Sequence, residues 1–137
     1  MNDDCLFCGI ANGAVPSQTI ESDELTVSFM DINPATPGHA LVVPRAHSDD
    51  LLEIGPEDLR AVVAASQRLA RRAHEVLGSD GVNLINSCGA AAWQTVFHFH
   101  VHVVPRYKDD PLELPWTPAP GDPDEIAAIA DRLRSDG

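Results

Sequence analysis

The chain has 137 residues, 44% hydrophobic and 22% charged, which is enough for one domain with a real core and too little for two. Twenty-one acidic against nine basic side chains leave a formal net charge of -12. Such a surface repels a polyphosphate backbone and excludes a nucleic-acid partner that depends on a basic footprint. A small anionic ligand would need a pocket that brings its own hydrogen-bond donors. No apolar run is long enough to span a bilayer, and the opening Met1-Asn2-Asp3-Asp4 is acidic where a secretory signal is basic. The expectation is a cytoplasmic protein with no membrane partner.

In chain order, the first feature is Cys5-Leu-Phe-Cys8. With Cys88 as the remaining cysteine, no complete disulfide framework is possible, and a Cys-x-x-Cys pair in a reducing compartment points to a metal or redox element. A short strand is predicted over residues 18–21 and a second over 25–30. The Asp31-Ile-Asn-Pro-Ala-Thr-Pro-Gly38 segment then turns the chain stiffly into a third, over 39–43. A long helix runs from Pro56 to Leu77: proline suits its first position, Glu57 and Asp58 favour its N-terminal dipole, and Gly78 ends it. Leu59, Val62, Val63, Leu69, Ala70, Ala73, Val76 and Leu77 make its apolar stripe, whereas Arg60, Arg68, Arg71 and Arg72 lie largely off it. Strands are predicted at 82–86 and 95–104. Five prolines then make 108–123 an extended arm. The last helix, over 123–135, opens at an acidic cap, Asp122, and carries Ile126, Ile129, Ala130 and Leu133 on one face. Strands interrupted by one long helix imply an α+β fold, a largely antiparallel sheet of roughly five strands in a single domain over 1–137.

The chemistry lies in Thr95-Val-Phe-His98-Phe-His100-Val-His102-Val-Val-Pro-Arg106. Alternation on a strand puts Phe97, Phe99, Val101 and Val103 on one face and His98, His100 and His102 on the other. No packing requirement produces three imidazoles at period two. A catalytic metal is one use for them. The roughly 13 Å of strand from His98 to His102 is awkward for a single tetrahedral ion, so at most two would bind the same metal. Nucleophilic attack at phosphorus by an imidazole, with its neighbours orienting it and holding phosphate oxygens, is the other.

The His98-Phe-His100-Val-His102-Val-Val run resembles the signature of the histidine triad (HIT) superfamily of nucleotide hydrolases and transferases. Gln94-Thr95-Val96, Phe29-Met30-Asp31-Ile32 and Gly38-His39-Ala-Leu-Val-Val-Pro44-Arg45-Ala-His47 resemble further family blocks, in the family's order. The resemblance implies a short N-terminal helix besides the two longer ones. It also implies that His100 is the nucleophile that takes a nucleoside monophosphate onto its ring, flanked by His98 and His102. Thr95 and Gln94 would hold a phosphate or bridging oxygen. Asp31 resembles the acid that accepts the ribose hydroxyls, although a capping acid in its own turn is the plainer alternative. Phe7, Phe29 and Ile32 resemble the wall around the base, with His39 a polar residue beside it and Asn86 a phosphate contact; apolar core is the default for the first three. The loop after Asn86 is less glycine-rich than the family form, and Trp93 stands where many members have glycine. Some bacterial members complete the Cys-x-x-Cys pair with two histidines, here His47 and His98, as a closed structural zinc site. Two small buried cysteines are the alternative. The expectation is therefore a homodimeric nucleotide hydrolase with a structural zinc and no redox cofactor. A nucleotide-binding module of little turnover, or an interaction protein built on the zinc and the arm, are the competing classes.

Overall fold

The computed structural model describes residues 4–135. After helix α1 (Leu6–Ala11) come strands β1 (Thr19–Ser22), β2 (Thr26–Met30) and β3 (Ala40–Pro44), then helix α2 (Pro56–Arg72). Strands β4 (Gly81–Ile85) and β5 (Val101–Arg106) follow, and helix α3 (Pro123–Arg134) comes last. The five strands form one antiparallel sheet in the order β1-β2-β3-β5-β4. The α+β expectation is met. No helix among the described residues is long and apolar enough to cross a membrane.

Period-two alternation along β3 decides what each sheet face carries. Val42 packs with Val62 and Ala65 of α2 and with Phe99, Val101 and Val103. Leu41 and Val43 point the other way, into a cluster with Phe7 and Ala11 of α1 and with Val27 and Phe29 of β2. Val42, Val43, Val62 and Val103 are fully buried, and burial of such a side chain is worth about 1.5–3 kcal/mol.

Helix α2 begins as predicted, with Pro56 at its start, Glu57 and Asp58 in the first turn and Arg71 and Arg72 in the last. The next turn, Ala73–Leu77, widens to a π-helical turn before Gly78 closes it at φ 68°. Val76 and Leu77 in that turn are largely exposed and Ala73 is buried, while Val63 is exposed in an earlier turn, so the predicted apolar stripe is buried only in part. Gly38, at φ 92°, ends the 31–38 turn. A Cβ there would stand 2.5 Å from Leu77 Cδ1 and 3.1 Å from Pro105 Cγ, so only glycine fits.

Two predicted elements differ. The 95–104 strand begins only at Val101, because the Phe99 N–H donates to the Ser48 carbonyl (2.7 Å) and not to a strand neighbour. Residues 95–100 follow the 45–49 loop instead. Phe97 is accordingly 48% exposed and leaves the face it was expected to share with Phe99, Val101 and Val103. The last helix forms with Asp122 capping the Asp124 N–H, but buries none of its side chains: Ile126, Ile129 and Leu133 are exposed. The proline arm has no regular structure, as expected. Its start is tied down by Asp110, which accepts from the Arg106 guanidinium and from the Tyr107 and Leu112 N–H groups. Those donors hold its carboxyl far below the usual carboxylate range.

Candidate active site and metal centre

The 95–100 segment that leaves the sheet is what separates the three histidines. His98 is fully buried. Its Nε2–H donates to the Pro44 carbonyl at 2.8 Å, so Nδ1 carries a lone pair. That lone pair faces Cys5 Sγ at 3.3 Å and Cys8 Sγ at 3.4 Å. His47 is arranged alike: Nε2–H donates to Asp49 Oδ1 at 2.9 Å, and Nδ1 faces Cys8 Sγ at 3.4 Å. Burial opposes an imidazolium at His47, but the bonds to Asp49 and Cys8 outweigh it and raise its pKa. Cys5 also caps α1, its sulfur accepting from the Cys8 N–H.

The four ligand atoms of Cys5, Cys8, His47 and His98 all lie within 4.8 Å of one another. For zinc with sulfur at 2.3 Å and nitrogen at 2.0–2.1 Å, a tetrahedral S···N edge is about 3.6 Å. The observed 3.3–3.4 Å edges approach that value, and the second nitrogen of each imidazole is already held by an acceptor, as metal-ligating histidines require. The donor set fits zinc and leaves no open position.

His100 lies two residues on, 5% exposed. Its Nδ1–H donates to the His98 carbonyl at 2.8 Å, which leaves Nε2 as an unprotonated lone pair. Burial, the largest influence, lowers its pKa and keeps the ring neutral. The ring meets Phe7 in a T-shaped contact, centroids 5.0 Å apart, and the His102 ring is also 5.0 Å away.

The tautomer of His102 follows from a chain of bonds. The Ala35 N–H donates to His39 Nδ1 at 2.9 Å, so His39 carries its proton on Nε2. That N–H donates to His102 Nδ1 at 2.9 Å, leaving His102 with its proton on Nε2. Burial, then the neighbouring His100 and His39, push the pKa of His102 down to about 4. Asp31 divides its two oxygens: Oδ1 accepts the Asn33 N–H at 2.8 Å, and Oδ2 stands 3.4 Å from His39 Nε2 and 4.0 Å from His102 Nδ1. Asp31, His39 and His102 thus lie close enough for a metal, but the His39 Nε2–H is given to His102 Nδ1, with the Asp31 carboxylate beside the pair.

A cavity of about 380 Å³ opens over these rings, with Phe7, Phe29, Asp31, Ile32, Thr95, His100 and His102 among its lining residues. Phe7 and Phe29 are buried, whereas Ile32 is 90% exposed and sits at the rim. No Lys or Arg of the described residues lines it. Asp31 caps its own turn through Oδ1 and also lines the cavity.

Gln94, Asn86 and His39 act at one remove. Gln94 Oε1 accepts the Gly89 N–H at 2.7 Å, and its Nε2 donates to the carbonyls of Asp49 (2.7 Å) and Val96 (3.1 Å). Nothing remains with which to hold a substrate oxygen; it pins the 86–97 loop beside the metal cluster. Asn86 Nδ2 donates to the His100 carbonyl at 2.9 Å, bracing the strand entry. His39 reaches the cavity only through His102.

Sequence reasoning noted Trp93 but gave it no role. It lines the cavity and, among the described residues, is the one non-glycine at positive φ, 75°. That backbone costs an L-residue about 1–2 kcal/mol. It is held by the Trp93 N–H to the Ala90 carbonyl, the Gln94 N–H to the Gly89 carbonyl and the Gln94 side chain on Gly89.

The HIT domain family model matches residues 12–109. A structure of SMU.412c from Streptococcus mutans superposes with a TM-score of 0.92 at 35% identity, covering 98% of this chain and 85% of that one. A zinc-bound histidine triad family protein from Mycobacterium smegmatis gives 0.78 at 40% identity, covering 97% and 98%. A histidine triad nucleotide-binding protein from Candida albicans gives 0.84 at 26%, covering 96% and 95%. Two histidines of the row, His100 and His102, line the cavity while His98 joins the Cys/His cluster, and the chain belongs to the histidine triad (HIT) family.

Proposed function

We propose that this chain is a nucleotide hydrolase that cleaves a nucleoside 5′-phosphoryl conjugate, a phosphoramidate or a dinucleoside polyphosphate, through a nucleotidyl-histidine at His100. The observation that carries the reading is the His100 Nε2 lone pair: buried, neutral and aimed by the Nδ1–H bond to the His98 carbonyl. His100 Nε2 attacks phosphorus, and the bond from phosphorus to the leaving group breaks with its electron pair going to that group. The His102 Nε2–H donates a hydrogen bond to the leaving group or to a phosphate oxygen, the Thr95 hydroxyl supplies another donor, and the leaving group takes its proton from solvent. Water then attacks phosphorus, the P–N bond breaks, and neutral His100 and a nucleoside monophosphate result. The base lies against Phe7, Phe29 and Ile32, and the Asp31 carboxylate accepts the ribose hydroxyls.

Cys5, Cys8, His47 and His98 would hold one zinc, as the M. smegmatis relative holds zinc by its description. Bound there, zinc would cross-link α1 to the end of β3 and to the triad segment without taking part in the reaction. With both nitrogens engaged, His98 positions His100 through its backbone. Thiol ligands suit a reducing cytoplasm. A turnover panel of adenosine phosphoramidate, diadenosine tri- and tetraphosphate and adenylylated lysine tests the activity. At least one should be hydrolysed to AMP, and no turnover of any would leave a nucleotide-binding module.

The chain is further read as a single domain that dimerises. An apolar concavity lies between α2 and β4, lined by Leu59, Val63, Val82 and Leu84, and β4 is a sheet edge with Leu84 and Ile85 exposed. An edge of that kind invites a second copy. Light scattering at micromolar concentration should give twice the 14.7 kDa chain mass, and a monomer throughout would count against it.

A further inference from the structure

We infer that Trp93 selects substrates by their leaving group, stacking on a planar aromatic ring carried by the group that His100 displaces; this rests on the hydrolase reading above. Three observations meet at this side chain. It lines the same cavity as His100 and His102. It is 72% exposed, whereas the cavity's other aromatic side chains, Phe7 and Phe29, are buried. And it is held at φ 75°, a backbone conformation that glycine adopts freely and tryptophan does not.

The direction of the chemistry places the leaving group beside it. His100 is 5% exposed and forms the floor of the cavity. In-line displacement sends the leaving group to the side of phosphorus away from the attacking nitrogen, hence toward the mouth. The base end of the substrate takes the buried aromatic wall, so the ring exposed at the mouth is left for whatever departs. An indole there offers a flat face to any planar ring, while a small aliphatic amine presents nothing to stack on. No Lys or Arg lines the cavity, so no basic side chain makes this choice.

The test compares adenosine 5′-phosphoramidates of 2-phenylethylamine and of propylamine, which release amines of the same class and differ in the ring. The wild-type ratio of kcat/KM should favour the phenylethyl conjugate, and in Trp93→Ala that ratio should fall about fivefold or more, the loss expected for one stacked ring. Alanine keeps a Cβ at positive φ, so backbone strain is matched. Trp93→Phe should keep most of the preference, and Trp93→Gly should lose it although its backbone is relaxed. A ratio unchanged in Trp93→Ala and Trp93→Gly would overturn the inference.

Binding gives a readout independent of turnover. In a Trp116→Phe, His100→Asn background Trp93 is the sole tryptophan. Its fluorescence should be quenched more by diadenosine triphosphate, whose second adenosine reaches the mouth, than by AMP. Equal quenching, or none, would overturn it. If the wild-type protein hydrolyses neither phosphoramidate nor any compound of the panel above, the hydrolase reading fails; if it hydrolyses only compounds of that panel, the hydrolase reading stands. In both cases the quenching decides whether Trp93 meets a second ring.

Discussion

His100→Asn is expected to abolish turnover, by about 10⁴-fold or more, while nucleotide binding is largely kept. The asymmetry follows from geometry. His100 alone of the three has a lone pair that is at once unprotonated, buried and turned to the cavity, so its removal deletes the covalent step itself. His102 works through a proton on Nε2 and His98 through its backbone. His102→Asn should therefore cost nearer a hundredfold, the usual scale for one lost hydrogen-bond donor to the reacting group. Wild-type protein quenched during turnover should carry a nucleoside monophosphate on His100, found by mass spectrometry of the peptide that contains it. Substantial turnover by His100→Asn, with no adduct on the wild type, would exclude the mechanism.

The second large effect concerns the metal. Protein purified without chelator should contain close to one zinc per chain by elemental analysis. Cys5→Ser should lose most of it and melt at least about 10 °C lower, because binding energy at a closed structural site is folding energy. Activity should fall with it, through kcat more than KM. The carbonyl that aims His100 belongs to His98, and the ion would fix that residue's ring through Nδ1, opposite the bond of its Nε2–H to Pro44. Chelation of the wild type should reproduce both losses in parallel. Zinc-free protein after metal-replete expression, with an unchanged melting temperature, would refute the site.

Cys5→Ser and His100→Asn act on residues that the sequence brought forward for different reasons. The row of histidines was legible because period two on a strand is a local rule: Phe99, Val101 and Val103 do face the core, and His100 and His102 lie on the cavity side. Likewise Pro56, Glu57, Asp58 and Gly78 mark the helix ends through backbone chemistry that acts within a turn. Asp31 could be paired with its turn because the Asn33 N–H is two residues away.

What was illegible depends on groups far apart in the chain. Phe97 faces solvent and His98 leaves the strand because the Ser48 carbonyl takes the Phe99 N–H and the Pro44 carbonyl takes the His98 ring. Gln94 and Asn86 read as phosphate contacts by position, yet Gly89, Asp49 and Val96 take the Gln94 amide, and the His100 carbonyl takes an N–H of Asn86. The proton on His102 is assigned by an Ala35 N–H acting through His39. Local periodicity and turn chemistry, written in neighbouring residues, thus determined which elements form and which imidazoles share a face. The tautomer of each ring, the company of the two thiols and the standing of Trp93 at the cavity mouth were decided by tertiary structure, because a hydrogen bond or a ligand edge exists only once the fold has brought its two ends within about 3–4 Å.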